Sequence, residues 1–373
     1  ITKSAIKPFI SFGKMPIANG FLNKENFSKE FFFDLEVGFS EKCSLFQLKD
    51  HPTPEQMFNN KYPFFTGSSE AMKIHFQKYS DFIKKNYINN NSKIIEIGSN
   101  DGTFLKNFKN SNLDYVGFEP SENVAEIAKQ KGVKIINSFF GLNSLDLVKN
   151  FLKQTDVIFA ANVICHIPEL NGLIKAVDQL LSKDGVFIFE EPYLGSMFNK
   201  TSYDQIYDEH IFMFSGTSIK KIFDLFDMEL IDLIKQETHG GSMRYVISRK
   251  NKRPINKNVK KILDEEKLNN LDNLDSCLKF KKNCENSKIK LNNLLKKYIS
   301  EGKRIVGYGA TSKSTTILNY CEINSEIIEY ICDTTKEKIL DNKESKAKQI
   351  SKSKYFSYFM WFKHRYEKLV RPY

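Results

Sequence analysis

The sequence predicts an α/β fold, an open and mostly parallel sheet with helices on both faces, on three observations. The first is the stretch from Lys93 to Phe104, Lys-Ile-Ile-Glu-Ile-Gly-Ser-Asn-Asp-Gly-Thr-Phe. Its isoleucines crowd ahead of Gly98 as in a buried parallel strand, and Gly98 to Gly102 then turn the chain tightly towards a helix. The second is Glu119, which closes the next apolar run about twenty residues later, where a carboxylate can accept the hydroxyl protons of a ribose. The third is the regular alternation of strand and helix patterns from Lys93 to Glu191. Together they describe a Rossmann-like sheet, whose ligands lie beyond the carboxyl ends of the strands.

Composition sets the outer bounds. With 373 residues, 41% hydrophobic and 13% aromatic, the chain is long enough for more than one domain with a real core. Lys and Arg outnumber Asp and Glu by 56 to 45, a net charge of +11, but the basic residues form no compact stripe interleaved with aromatics. Nucleic-acid binding is therefore not expected, whereas an anionic small substrate suits the charge. The cysteines Cys43, Cys165, Cys277, Cys284, Cys321 and Cys332 have no framework spacing. With neither a signal segment nor a long apolar run, a cytoplasmic protein without membrane attachment is expected.

Residues 1–90 are expected to form a small α+β module. Ser11 to Leu22 is broken by Gly13, Pro16 and Gly20 and reads as irregular or edge structure. Strands are expected at Phe31 to Val37 and Ser44 to Lys49, then a helix to about Tyr87 with Met72, Phe76, Tyr79 and Phe82-Ile83 near helical spacing. These aromatics most simply pack a core; alternatively Tyr62 and Phe64, ahead of Gly67-Ser68-Ser69, close over a ligand as a lid. Cys43 has no cysteine at short spacing, Ser40 standing where a C-x-x-C pair would need one, so no metal is expected and Cys43 reads as a small buried hydrophobe.

Residues 91–250 carry the sheet. A helix is expected from Thr103 to Asn110, then strands at Tyr115 to Phe118, Val133 to Ile136, Asp156 to Ala161 and Gly185 to Phe189, with a helix near Leu173 to Leu181 before the last. The glycine turn lacks the G-x-G-x-x-G order of a dinucleotide site and carries Glu96 before it and Asn100-Asp101 within it. S-adenosylmethionine explains this better than NAD, because its ammonium needs acidic and carbonyl partners and no pyrophosphate needs a helix terminus. Glu96, Gly98, Asn100, Asp101, Gly102, Glu119 and Pro120 are the expected cofactor residues, with Asn137 and Phe139 for the adenine edge and face. Asn162 and His166, at the tip of the fourth strand, face the same crevice, although His166 also suits a helix start before Ile167-Pro168. Glu229 to Leu233 and Met243 to Ser248 look like the antiparallel pair that closes the sheet of class I methyltransferases.

The chemistry is expected between strands five and seven. Tyr203 to His210 gathers phenol, carboxylate and imidazole, and helical spacing would bring Tyr207 and His210 to one face. His239 precedes Gly240-Gly241-Ser242, where missing side chains would let a substrate approach. With Glu96 to Gly102, Tyr207 to His210 and Thr238 to Ser242, the segments Gly13 to Asn19, Tyr308-Gly309-Ala310 and Leu318 to Cys321 resemble the sugar C-methyltransferases that act on nucleotide-linked 4-keto-deoxysugars. That family has a zinc-bearing N-terminal module, a central S-adenosylmethionine domain and a C-terminal Rossmann-like domain that helps hold the substrate.

The resemblance implies a base that removes a proton beside a ketone, a donor that stabilises the enolate oxygen, and a sulfonium methyl in line. His210 is then the base, Tyr207 or His239 the donor, and Glu209 the carboxylate that orients an imidazole. Tyr62, Phe64, Tyr193, Arg244, Tyr308 and Lys313 are the expected contacts of a nucleotide-diphosphate sugar. The chain departs from the family at Asp208, where a histidine is usual, and in keeping only Cys43 of the zinc cysteines. A hydroxyl acceptor, or binding without catalysis, are the other readings these departures leave open. Residues 251–302 read as connecting helices with Leu263, Leu268, Leu271, Leu274 and Leu278 near helical spacing, and 303–373 as a shortened Rossmann-like domain. There Lys303 to Lys313 repeats the strand, glycine turn and helix, Ile327 to Ile331 supplies a second strand, and Tyr355 to Trp361 is a further apolar segment. A second copy or another partner would cover that incomplete sheet.

Overall fold

The computed structural model describes residues 5–22, 24–109 and 112–333. In chain order, β1 (Lys7–Pro16), β2 (Phe32–Ser40), β3 (Leu45–Leu48), α1 (Pro54–Met57) and α2 (Glu70–Tyr87) precede the glycine turn. Then come β4 (Lys93–Ile97), β5 (Asp114–Phe118), α3 (Glu122–Gln130), β6 (Ile135–Ile136), β7 (Thr155–Ala161), α4 (Leu170–Leu180) and β8 (Leu181–Pro192). α5 (Leu194–Lys200), β9 (Phe212–Met213), α6 (Gly216–Asp224), β10 (Met228–Gln236) and β11 (Ser242–Arg249) follow. α7 (Lys257–Leu268), α8 (Leu274–Ser300), β12 (Gly307–Tyr308), α9 (Ser312–Tyr320) and β13 (Ile331–Cys332) come last.

Seven strands form the main sheet in the order β6-β5-β4-β7-β8-β11-β10, with β11 antiparallel to both its neighbours. The chain leaves β4 on one side through β5 and β6 and returns on the other through β7. The crevice at the carboxyl ends of β4 and β7 is thus the topological switch point, where ligands of such sheets lie. Side chains alternate between two buried faces. Ile95, Ile97, Phe118, Ile158, Phe187 and Phe189 meet the layer of α4 and α6, while Ile94, Tyr115, Phe159 and Ile188 meet Phe76, Tyr79 and Ile83 of α2. Burial on both faces explains the unbroken apolar runs in the sequence.

Several expected elements shorten or move. The helix expected from Thr103 is a 3-10 turn, Leu105–Phe108, whose i, i+3 spacing buries Leu105 and Phe108 together. The third parallel strand pairs only over Ile135–Ile136, and the expected 327–331 strand begins only at Ile331. Ser11 to Pro16 belongs to a regular edge strand, β1, whose register shifts twice against β2. An edge position tolerates Pro8 and Pro16, and Gly13, with φ 83°, sits at a shift. In α8 the buried stripe is Cys277, Phe280 and Cys284, whereas Leu278 is exposed, as is Leu268 at the end of α7. The apolar segment Tyr355 to Trp361 lies outside the described residues.

The N-terminal module does not stand alone. Its sheet runs β1-β2-β3-β9, so its fourth strand arrives from beyond residue 210, with Phe46 opposite Met213. Phe9, Phe12, Leu35, Phe39 and Phe46 share one apolar cluster with Met197, Tyr203, Cys277, Phe280 and Cys284. β12 and β13 form a parallel two-stranded sheet beside α9. No helix among the described residues is long and apolar enough to cross a membrane.

Candidate active site

The turn after β4 is built for close approach. Gly98 and Gly102 have φ of 68° and 73°, and a Cβ on Gly98 would stand 2.4 Å from a methyl of Val163. Only glycine fits there. The backbone N–H of Asn100 donates to Glu119 Oε2 at 2.9 Å and that of Ser121 to Oε1 at 2.8 Å, while burial lifts the Glu119 carboxyl above its ordinary range against these two amides. Glu96, at the end of β4, is pushed well up by burial. Its Oε2 and Ser121 Oγ are buried without a partner. Buried polar atoms are normally paired, so each of these two is open to a polar ligand. Asn137 Nδ2 donates to the carbonyls of Glu119 and Pro120, both at 2.9 Å, and Phe139 leaves 40% of its surface open at the tip of β6. The donor set fits S-adenosylmethionine: Glu119 for ribose hydroxyls, Phe139 for the adenine face, and Glu96 with the glycine turn for the charged end.

Residues 58–67 cross this crevice as a roof. Thr66 N–H donates to Asn100 Oδ1 (2.8 Å), Gly67 N–H to Asp101 Oδ2 (3.1 Å), and Asn100 Nδ2 to the Phe64 carbonyl (3.0 Å). Asn100 and Asp101, expected at the cofactor, thus engage the segment above it, and Asp101 also pairs with Lys131 at 2.8 Å. At the other end Phe58 stacks on His166 at 5.6 Å, and the Tyr62 hydroxyl donates to Glu209 Oε2 at 3.1 Å. Tyr62 is buried and Phe64 45% exposed.

The loop that carries the candidate catalytic residues follows α5. Tyr203–Gln205 is a 3-10 turn, and Tyr207 meets His210 across a turn closed by His210 N–H to Tyr207 O at 3.0 Å, not along the expected helix. His210 Nδ1 lies 2.7 Å from the carbonyl of Gln205, which only accepts, so Nδ1 carries the hydrogen and Nε2 the lone pair. Tyr207 Oη is 2.9 Å from that Nε2. Burial first, then His166 and Lys313, push His210 well below the usual imidazole range, so the ring is neutral near pH 7. Glu209 does not orient an imidazole. It accepts from Asn19 Nδ2 at 2.5 Å and from Tyr62, and burial raises its carboxyl to about 7. Asp208 accepts the Ala18 N–H at 3.0 Å and is raised by burial and by Glu209; its Oδ2 has no partner.

His239 stands in the left-handed region, φ 52°, and meets Asn162 Nδ2 at 3.0 Å through Nε2. Burial and Lys313 lower it to about 4. The bare Cα of Gly241 answers to packing on α5 and not to substrate approach, since a Cβ there would stand 2.4 Å from Ser196 Oγ. His166, lowered to about 3 by burial, stacks on His210 at 5.2 Å and leaves Nε2 unpartnered. Lys313, in the first turn of α9, is lowered by burial and makes no ion pair among the described residues.

Two expected substrate residues serve the scaffold instead. Arg244 is buried, donates to Glu190 Oε1 from Nε (2.6 Å) and Nη2 (2.5 Å), and lies 3.8 Å above the Tyr79 ring; His75 Nε2 meets the other Glu190 oxygen at 2.6 Å. Tyr193 donates to Glu266 at 2.9 Å, and the same carboxylate accepts the first amides of α6; the phenol lines a cavity of about 310 Å³ behind α5. Tyr308 is exposed on β12. The sequence reading missed Asn19, Gln205 and Glu191. Glu191 accepts from Val163 N–H (3.0 Å) and Ile164 N–H (2.6 Å) and so fixes the turn carrying His166; its place beside Glu190 at the strand tip was the available signal.

Among the described residues, Cys165, His166 and His210 are the group whose donor atoms lie within 4.8 Å of one another. Burial and Glu191 keep the Cys165 thiol well above its ordinary range, and the lone pair of His210 Nε2 already meets the Tyr207 hydroxyl, so the set does not suit a metal. Residues 2–58 hold one cysteine, the buried Cys43 packed with Leu45, and one histidine, His51, 2.8 Å from the Pro52 carbonyl. They do not fit a zinc centre either.

Three family profiles match in sequence: a "zinc binding domain" at residues 2–58, a "Methyltransferase domain" at 72–233 and a "C-methyltransferase C-terminal domain" at 237–344. The chain is 25% identical to the C-methyltransferase NovU of Streptomyces niveus over 329 residues, 87% of this chain and 78% of that protein. It is 31% identical to a carboxy-S-adenosyl-L-methionine synthase of Nautilia profundicola over 192 residues, 48% of this chain and 70% of that one. The fold, the cofactor crevice and these matches agree: the chain is an S-adenosylmethionine-dependent methyltransferase whose three modules follow one another as in the C-methyltransferases it resembles.

Proposed function

We propose that the acceptor is a carbon beside the ketone of a nucleotide-linked 4-keto-deoxysugar, methylated through an enolate for a surface polysaccharide or a natural product. The observation that carries this is the state of His210: a buried, neutral imidazole with its hydrogen fixed on Nδ1 and its lone pair on Nε2 beside the Tyr207 hydroxyl. Methylation at carbon needs such a group, because the acceptor is not nucleophilic until it loses a proton. Nε2 takes that proton, and the Gln205 carbonyl stabilises the imidazolium by accepting from Nδ1. Tyr207 then donates to the enolate oxygen in a site the roof shields from water, where one such donor contributes several kcal/mol, about 3. S-adenosylmethionine supplies a methyl already activated by its positive sulfur. Asn162, His166 and Gln205, each with a buried unpartnered polar atom, supply hydrogen bonds for the sugar, and Lys313 with Tyr308 faces the diphosphate.

The test is solvent exchange. In deuterated water, with S-adenosylhomocysteine and a 4-keto nucleotide sugar, the wild-type protein exchanges the hydrogen beside the ketone, and His210→Gln does not. Exchange that survives the substitution removes His210 as the base. Methyl transfer to oxygen from the active cofactor would replace the enolate by a hydroxyl acceptor.

A further inference from the structure

The segment Gly13 to Asn19 carries part of the family resemblance, yet the chemistry above gives it no task. Its end is a turn, Gly20 N–H to Ile17 O at 3.1 Å, laid against the two consecutive buried carboxylates of the loop that carries the candidate catalytic residues. Ala18 N–H meets Asp208 Oδ1 at 3.0 Å, and Asn19 Nδ2 meets Glu209 Oε1 at 2.5 Å. The far side of the same amide, Asn19 Oδ1, accepts from Ser312 Oγ of α9 at 2.9 Å. Three separate parts of the chain therefore meet at one side chain. The amide is held in this orientation by Glu209: turned over, its oxygen would face an ionised carboxylate, which only accepts, whereas the Ser312 hydroxyl can donate or accept. α9 is tied to the loop a second time by Thr316 Oγ1 to the Ile206 carbonyl at 2.5 Å.

We infer that Asn19 is a positioning residue of the acceptor half of the site: anchored on Ser312, it holds the Glu209 carboxylate in the place where that carboxylate receives the Tyr62 hydroxyl. Glu209 Oε2 is that hydroxyl's acceptor at 3.1 Å, and Tyr62 belongs to the roof whose other end is fixed by Asn100 and Asp101. Asn19 donates to the ionised form of Glu209, alongside Tyr62 and against burial and Asp208. Without the amide, Glu209 holds its proton more tightly and the roof loses its acceptor at this end. That the roof covers a sugar rests on the function proposed above; the coupling of Asn19 to the roof does not.

The first measurement therefore needs no acceptor. Hydrogen exchange of the full chain with S-adenosylhomocysteine bound is compared for wild type, Asn19→Leu and Ser312→Ala. The expected result is exchange about tenfold faster at residues 62–68 in Asn19→Leu, and a smaller rise in Ser312→Ala, with the cofactor dissociation constant changed less than about threefold. Unchanged exchange at 62–68 in both variants overturns the inference. The second measurement is the pH profile of methyl transfer, whose acid limb moves up by about half a unit or more in Asn19→Leu. A purely structural Asn19 would lower the melting temperature and leave that limb in place, which also overturns it. If the wild type transfers methyl to no ketosugar while the roof still loosens in Asn19→Leu, the acceptor class is wrong and the positioning role stands.

Discussion

Replacing Arg244 by Met tests whether this side chain binds substrate, as its strand position suggests, or holds the scaffold, as its contacts require. The guanidinium is buried and donates twice to Glu190 Oε1, at 2.6 and 2.5 Å, over the ring of Tyr79. Methionine keeps much of the apolar volume but leaves Glu190 buried without its cation. Removing one partner of such a pair costs about 3–5 kcal/mol, a large part of the roughly 5–15 kcal/mol that holds a domain together. At about 2–4 °C per kcal/mol, the melting temperature should drop on the order of 10 °C. Urea unfolding should show the same loss as a lower midpoint at unchanged slope. Adding Glu190→Gln should recover part of it, because two neutral groups replace a lone buried charge. A loss below about 1 kcal/mol with a raised KM for the acceptor would refute the scaffold role and return Arg244 to the substrate.

Four further outcomes follow from the site. Glu119→Ala should weaken binding of S-adenosylhomocysteine by about 10–100-fold in calorimetry, the loss of a charged hydrogen-bond partner, while Glu122→Ala on the neighbouring helix should not. Because burial raises Glu209 to about 7 and lowers His210 well below its usual range, kcat/KM should fall as pH drops through about 7, when Glu209 takes a proton and Tyr62 loses its ionised acceptor. Stability should run the other way: a carboxyl raised in the folded state binds its proton more tightly there, so unfolding free energy should decrease as pH rises from the ordinary carboxylate range to about 7. Finally, a strong chelator should leave the melting temperature within about a degree, since residues 2–58 offer Cys43 and His51 and no four-ligand set.

The legible parts of this protein are those whose physics is local. A strand buried on both faces shows as an apolar run, a left-handed turn shows as Gly98 and Gly102, and the acid after the next strand follows from the length of one βα unit. These made the cofactor half readable. The Tyr207–His210 pair was readable too, though for a partly mistaken reason, since a turn and not a helix brings the rings together. Arg244 and Tyr193 were misplaced because a residue at a strand tip can face the crevice or the scaffold, and the chain carries no mark of which. Glu190 and Glu266, distant in sequence from at least one of the groups they hold, decide it.

Sequence alone thus determined the order of the elements, the cofactor class and the pairing of Tyr207 with His210, since each depends on spacing within a few turns of chain. Tertiary structure alone decided what the carboxylates do. Asp208 and Glu209 receive Ala18 and Asn19 from 190 residues away, and Asn19 receives Ser312 from 293 residues away. A buried carboxylate takes its charge state and its task from whichever donors packing brings to it, and packing across such distances leaves no periodic trace in the chain.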